Sequence, residues 1–210
     1  YPEKWRDYSA LSIDRGPYVL NVLRANIFLT QYELNKIGRP VDRTEWQMTP
    51  QTVNAYYDPS MNNLNIPAGI LQKPFFDPSA PAAVNYGAIG FVIGHEMTHG
   101  FDDEGAQFDG YGNLNNWWSP ADLQKFHVAT ECIVNQFSQY TVDGNLHLQG
   151  KLVAGEAIAD LGGLILAYRA FHASPEYHHA RVIAGYTPDQ QFFLAGAHAF
   201  ASNVRPEELR

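Results

Sequence analysis

A predominantly helical α+β fold is predicted by three features of this 210-residue chain. Long stretches repeat apolar residues at intervals of three and four, the spacing of one helix face. Only two short segments, 52–57 and 63–66, read as strands, joined by the turn-rich Asp58-Pro59-Ser60. Two runs, 82–94 and 161–171, are apolar nearly all round and read as buried helices.

Taken in order, Gly16-Pro17 opens a helix in which Val19, Leu20, Leu23, Ile27, Leu34 and Ile37 form one apolar stripe, ended by Gly38 and Pro40. It reads as a packing helix. The strand 52–57 carries Asn54 and Ala55. By itself the pair of strands is an ordinary hairpin, but an edge strand just upstream of a functional helix can bind an extended peptide as an added strand. Pro81 then starts the 82–94 helix, whose Gly87, Gly90 and Gly94 each cost roughly 1 kcal/mol relative to alanine. Such glycines imply close approach of another element. Gly100 is the expected helix stop. Ser119-Pro120 caps a helix with the stripe Leu123, Phe126, Ile133, Val134 and Phe137, and Thr187-Pro188-Asp189-Gln190 is a capping box before a last helix to about Ser202. No repeat, low-complexity stretch or linker marks a domain boundary.

Composition narrows the partners. A hydrophobic content of 45% suits a globular chain, and a net charge of −8 argues against nucleic acid and against an anionic membrane surface. No run reaches the length of a spanning helix and no signal-peptide pattern is present. Cys132 is the only cysteine, so no internal disulfide can form.

The chemistry concentrates in His95-Glu96-Met97-Thr98-His99. On a helix, imidazoles four apart share a face and can hold one zinc ion, with Glu96 close enough to act on a water there. A catalytic zinc needs a third protein ligand. Glu156, opening the 161–171 helix, is the candidate, and Asp160, one turn on, is the carboxylate that accepts the free ring N–H of His95. A helix N-terminus favours acids through its dipole and could explain Glu156 alone, but not Asp160. Two acids on the inner side of an apolar helix are costly unless paired or metal-bound. Asp102-Asp103-Glu104 and Asp109-Gly110-Tyr111-Gly112-Asn113 fail the spacing of a calcium loop and read as a turn. Cys132, on an apolar helix without an arranged base, is a poor nucleophile. Closed structural zinc sites use four ligands, often cysteines, so two histidines, one carboxylate and Glu96 favour hydrolysis.

Together with Asn54-Ala55-Tyr56-Tyr57, Pro67-Ala68-Gly69-Ile70-Leu71-Gln72, Pro74-Phe75-Phe76, Asn85-Tyr86-Gly87, Val92 to Asp103, Gly155 to Asp160 and Tyr168-Arg169-Ala170, these residues resemble the neprilysin-like (M13) zinc endopeptidases, a family that also contains endothelin-converting enzyme and bacterial oligopeptidase O. The resemblance runs from about Val53 to Pro206. It implies a zincin-like (gluzincin) catalytic domain with a small sheet carrying the substrate-binding edge, one Zn2+ per chain held by His95, His99 and Glu156, and Glu96 as general base. It further implies Asp160 and Asp102 as supporting acids and Asn54 and Ala55 as the pair that binds the substrate backbone. Phe75, Phe76, Phe91, Val92 and Phe200 would line the pocket for the residue after the scissile bond. Oligopeptides cleaved on the amino side of bulky hydrophobic residues are the implied substrates.

Family members continue past the Arg205-Pro206 segment to a histidine that stabilises the oxyanion and an arginine that buttresses the pocket, whereas this sequence stops at Arg210. His172, His178, His179 and His198 match no such context. Residues 1–210 are therefore expected to be part of the catalytic domain of a larger peptidase, without its amino-terminal helical region and carboxyl-terminal segment, and nearly inactive alone; the alternative is a zinc-binding module without activity. In animal members the position of Cys132 bonds to a cysteine in the tail. The lack of an Asn-x-Ser/Thr acceptor leans toward a bacterial member. The resemblance favours an extracytoplasmic setting, with a cytoplasmic one open.

Overall fold

The computed structural model describes residues 1–205 and 207; Pro206, where the motif resemblance ends, and residues 208–210 lie outside the described part. The chain forms two compact units, Tyr1–Met48 and Thr49–Arg210.

The first unit is built on α1 (Tyr18–Leu34), which follows Pro17 as the sequence predicts. Its polar side is organised around Glu45. That carboxylate meets the Arg6 guanidinium at 2.7 Å and the Lys36 ammonium at 2.8 Å, and both cations lie over the Tyr32 ring. The expected packing role of α1 is not realised in this chain: none of its residues is buried, and Val19, Leu23, Ile27 and Leu34 all face solvent. Helical periodicity identifies an apolar face but not what covers it.

The second unit holds the remaining elements. Strands β1 (Tyr56–Asp58) and β2 (Asn63–Asn65) pair antiparallel, with Tyr57 opposite Leu64. Asp58 accepts from the backbone N–H and hydroxyl of Ser60, which closes the turn between them. Both strands are shorter than their sequence predicts, and Asn54 and Ala55 precede β1 rather than lying in it. The reason is local: the Asn54 side chain accepts from the Ala55 N–H at 2.9 Å, a bond that competes with a ladder.

Pro81 caps α2 (Ala82–Asn85), which runs on through a π turn at 86–90, then α3 (Phe91–Thr98) and a 3₁₀ turn at 99–101. The π turn inserts one residue and so rotates everything after it by about 100°. Gly100 lies within the 3₁₀ turn and is no left-handed stop; a Cβ there would press on the Tyr57 phenol at 3.1 Å. Beyond it, α4 (Pro120–Phe137) is capped by Ser119, a hairpin β3 (Thr141–Asp143) and β4 (Leu146–His147) follows, and α5 (Ala154–Ala173), α6 (Pro175–His179) and α7 (Pro188–Ala199) complete the unit. The capping box at Thr187 and Gln190 forms as expected.

Two glycine contacts fix the packing. A Cβ on Gly87 would strike the Phe192 carbonyl of α7, and one on Gly94 would lie 2.7 Å from the Gly163 carbonyl of α5. Gly90 meets only its own helix. Reciprocally, a Cβ on Gly163 would sit 2.5 Å from His95 N, one on Gly162 would strike the Thr98 side chain, and one on Gly155 would lie beside Asp102 and Asp103. Helices α3 and α5 are thus antiparallel and nearly touch at their backbones. Phe91, Ala83, Ala167, Phe171 and Phe192 close the core beside this crossing, with Phe171 and Phe192 fully buried.

Candidate metal centre

The α3/α5 crossing brings the predicted ligands together. His95 on α3 and His99, the first residue of the 3₁₀ turn that continues it, stand one turn apart, with Nε2 atoms 3.0 Å from each other. Glu156, in the first turn of α5, places Oε2 3.3 Å from His95 Nε2 and 3.9 Å from His99 Nε2. Among the described residues this is the one group of three or more His, Cys, Asp or Glu side chains whose donor atoms converge, all within 4.8 Å.

The other ring nitrogens decide what these atoms are. His95 Nδ1 lies 2.8 Å from Asp160 Oδ1, and His99 Nδ1 lies 2.7 Å from Asp102 Oδ2. A carboxylate only accepts, so each Nδ1 carries the proton and each neutral ring turns a lone pair outward at Nε2. Three acceptors therefore face one another with no donor between them. Such a set repels itself unless a cation occupies its centre, and two imidazoles with one carboxylate suit zinc.

The acids differ in setting. Asp102 is buried, at 7% side-chain exposure. Burial pushes its carboxyl up, but His99 and the backbone N–H groups of Gly105 and Glu104 outweigh it and hold the pKa below the usual range. His99 is correspondingly raised, first by the hydrogen bond to Asp102 against the effect of burial. Glu156 and Asp160, expected on the inner side of an apolar helix, are instead exposed by 71% and 55% in this chain. What pairs them is the histidines, since the α5 face they occupy lines an open cleft.

Glu96 points the same way but is buried, at 6% exposure. Burial raises its pKa, opposed by the two histidines, reinforced by Glu156, and opposed again by a bond from the Tyr57 backbone N–H. That last donor is invisible in sequence, because any residue except proline would supply it.

Around these groups runs a cleft lined by Asn54, Ala55, Tyr56 and Tyr57 and by Glu104 and Gly105. Among the described residues β1 pairs with β2 alone, so no strand covers its other edge, and its Tyr56 and Tyr57 line this cleft. A second, apolar cavity of about 930 Å³ adjoins at Asp160 and is lined by Phe91, Leu161, Leu164, Phe193 and Phe200. Phe91 and Phe200 meet edge to face there at 5.2 Å. Phe75, Phe76 and Val92 are placed elsewhere, packed with Ala55, Ile70 and Ile89 in a separate cluster beneath the strand. Asp109 is no cation site: its carboxylate is taken by the Tyr111 and Asn113 N–H groups and by the Asn113 and Asn115 amides. His172 pairs with Asp189 at 2.9 Å between the rings of Tyr168 and Tyr177; neither it nor His178, His179 or His198 lines the cleft.

This chain resembles known proteins over most of its length. The sequence pattern of peptidase family M13 matches residues 54–210. The chain belongs to peptidase family M13. It is 43% identical over 98% of its length to an endothelin-converting enzyme homolog of Locusta migratoria, covering 28% of that protein, and 40% identical over 96% to neprilysin-3 of Drosophila melanogaster, covering 26%. Among solved structures it superposes on the inhibitor complex of the Mycobacterium tuberculosis zinc metalloprotease Zmp1 with a TM-score of 0.85 at 49% identity, covering 99% of this chain and 33% of that one. PepO from Lactobacillus rhamnosis gives a TM-score of 0.81 at 34% identity, covering 99% and 32%. The predominantly helical fold with small sheets is thus that of M13 proteins, and the chain spans about a quarter to a third of the relatives it matches.

Proposed function

We propose that this chain carries the catalytic centre of a zinc-dependent endopeptidase that hydrolyses oligopeptides on the amino side of bulky hydrophobic residues. One observation carries the reading: His95, His99 and Glu156 direct three acceptor atoms at a common point beside the buried Glu96. M13 membership and similarity to a zinc metalloprotease support it.

In this reading His95, His99 and Glu156 hold the ion, while Asp160 and Asp102 keep each ring in the tautomer that can bind it. When bound there, zinc supplies Lewis-acid polarisation of the scissile carbonyl and lowers the pKa of a water toward 7. Glu96 takes a proton from the attacking water and returns it to the leaving amine, and its burial raises its basicity toward that task. The open edge of β1, with Asn54 and Ala55 before it, aligns the peptide backbone. The Phe91–Phe200 cavity accepts the apolar side chain that follows the cut bond. Family membership supports action outside the cytoplasm, and no described helix is long and apolar enough to cross a membrane.

The test is metal content and peptide hydrolysis measured together. This chain should bind about one zinc, and the full-length protein that contains it should cleave before phenylalanine or leucine; absence of zinc after loading, or hydrolysis by the full-length protein undiminished in Glu96→Gln, would overturn the assignment.

A further inference from the structure

Among the described residues, four carboxylates line the cleft at the two histidines, Glu96, Asp102, Glu104 and Glu156, and no lysine or arginine does. Three of them are engaged. Asp102 holds His99, Glu156 closes on both rings, and Glu96 is buried against the Tyr57 N–H. Glu104 is different: its side chain has no hydrogen-bond or ion-pair partner among the described residues.

Its position is nevertheless fixed. The Glu104 and Gly105 N–H groups both donate to Asp102 Oδ1, at 2.9 and 2.7 Å, and the other oxygen of that carboxylate accepts from His99. A Cβ on Gly105 would strike the His99 carbonyl, so this turn is pressed against the end of the ligand helix. Glu104 is thereby tied to His99 through one shared carboxylate.

The two ends of the cleft are chemically opposite. The apolar cavity reaches the centre at the His95 end, where Asp160 borders it and the Phe91 ring lies 6.2 Å from the His95 ring. Glu104 lines the cleft beside Asp102, the carboxylate that holds His99, and is absent from the lining of the apolar cavity. A peptide laid along the open edge of β1, with its bulky apolar residue in the Phe91–Phe200 cavity, sends its preceding residues toward Glu104. We infer that Glu104 is a specificity determinant that selects a lysine or arginine side chain in one of the two residues preceding the scissile bond. The inference rests on the peptidase reading above. Since the cleft is open to solvent, the preference has the size of an exposed ion pair, about three- to fivefold in kcat/KM.

Internally quenched peptides that share phenylalanine after the cut bond, and carry lysine, glutamine or glutamate at each of the two preceding positions, provide the test with the zinc-loaded full-length protein that contains this chain. At one position lysine should exceed glutamine by about three- to fivefold in kcat/KM, with glutamate below glutamine. Glu104→Gln should bring the lysine-to-glutamine ratio to about one, and Glu104→Lys should invert it; because the ratio is read within each variant, any general loss cancels. Cleavage with a flat ratio in the wild type, or a ratio retained in Glu104→Gln, overturns the role of Glu104 while leaving the peptidase reading intact. If the zinc-loaded full-length protein cleaves none of the peptides, the peptidase reading fails and this inference with it.

Discussion

Replacing Gly163 by alanine tests the central structural claim, that backbone contact between α3 and α5 builds the metal centre. The added methyl carbon would lie 2.5 Å from His95 N, 2.8 Å from His95 Cα and 2.9 Å from the Phe91 carbonyl, where ordinary contact begins at 3.4 Å. The helices must part by the difference, about 0.6–0.9 Å for the two His95 atoms. Overpacking of this kind costs about 1–3 kcal/mol, and alanine returns up to about 1 kcal/mol through helix propensity. A net loss of about 1–2 kcal/mol corresponds to roughly 2–8 °C in Tm for a chain of this size. The metal should suffer more. Zinc tolerates ligand displacements of about 0.2 Å, and disturbance of the groups that orient its ligands costs about 10–100-fold in affinity. Thermal melts of the zinc-free protein and competition with a chromophoric chelator read the two effects. Gly110→Ala is the control, because the nearest atom to its new methyl is 4.0 Å away. Wild-type Tm and wild-type zinc affinity in Gly163→Ala would show that the crossing does not set the ligand geometry.

Three further outcomes are expected. Glu156→Gln should lower zinc affinity, whereas Glu96→Gln should keep the ion and lose about 10²–10⁴-fold in hydrolysis; equal zinc affinity in Glu156→Gln and wild type would remove Glu156 as a ligand. Asp102→Asn leaves one acceptor oxygen where the carboxylate uses two, so an NH2 donor faces either the His99 ring or the Glu104 and Gly105 N–H groups, and zinc should weaken by about 10–100-fold, read by the same chelator competition, with an unchanged constant counting against the tautomer argument. In the first unit, burial tends to raise Glu45, but hydrogen bonds from Lys36, Arg6 and Tyr32 outweigh it and depress its pKa. A depressed carboxylate stabilises above its unfolded value near 4.3 and loses that contribution as pH falls through its folded value. Melts from pH 7 to 3 should therefore show the wild type losing more stability below about pH 4.3 than Glu45→Gln; parallel curves would refute the network's role.

Much of this was legible in the residues themselves. The spacing of His95 and His99 dictates a shared helix face, because 3.6 residues per turn is a property of any helix. Glu156 and Asp160 follow from the same periodicity, and Pro81, Ser119 and Thr187 announce their helices by capping chemistry that needs only neighbouring backbone. Gly87 and Gly94 signalled close approach without naming the partner. The rest depends on residues distant in sequence. Only the folded chain shows that Gly94 meets Gly163, so that the acids of one helix reach the histidines of another; that the Tyr57 N–H caps Glu96; and that Glu104 is left without a partner in the cleft. That α1 stayed uncovered has the same cause, whereas the strands fell short for a local one, the bond between the Asn54 side chain and the Ala55 N–H. Local pattern fixes which face of an element is apolar or carries ligands, whereas which faces meet is decided by the packing of the whole chain.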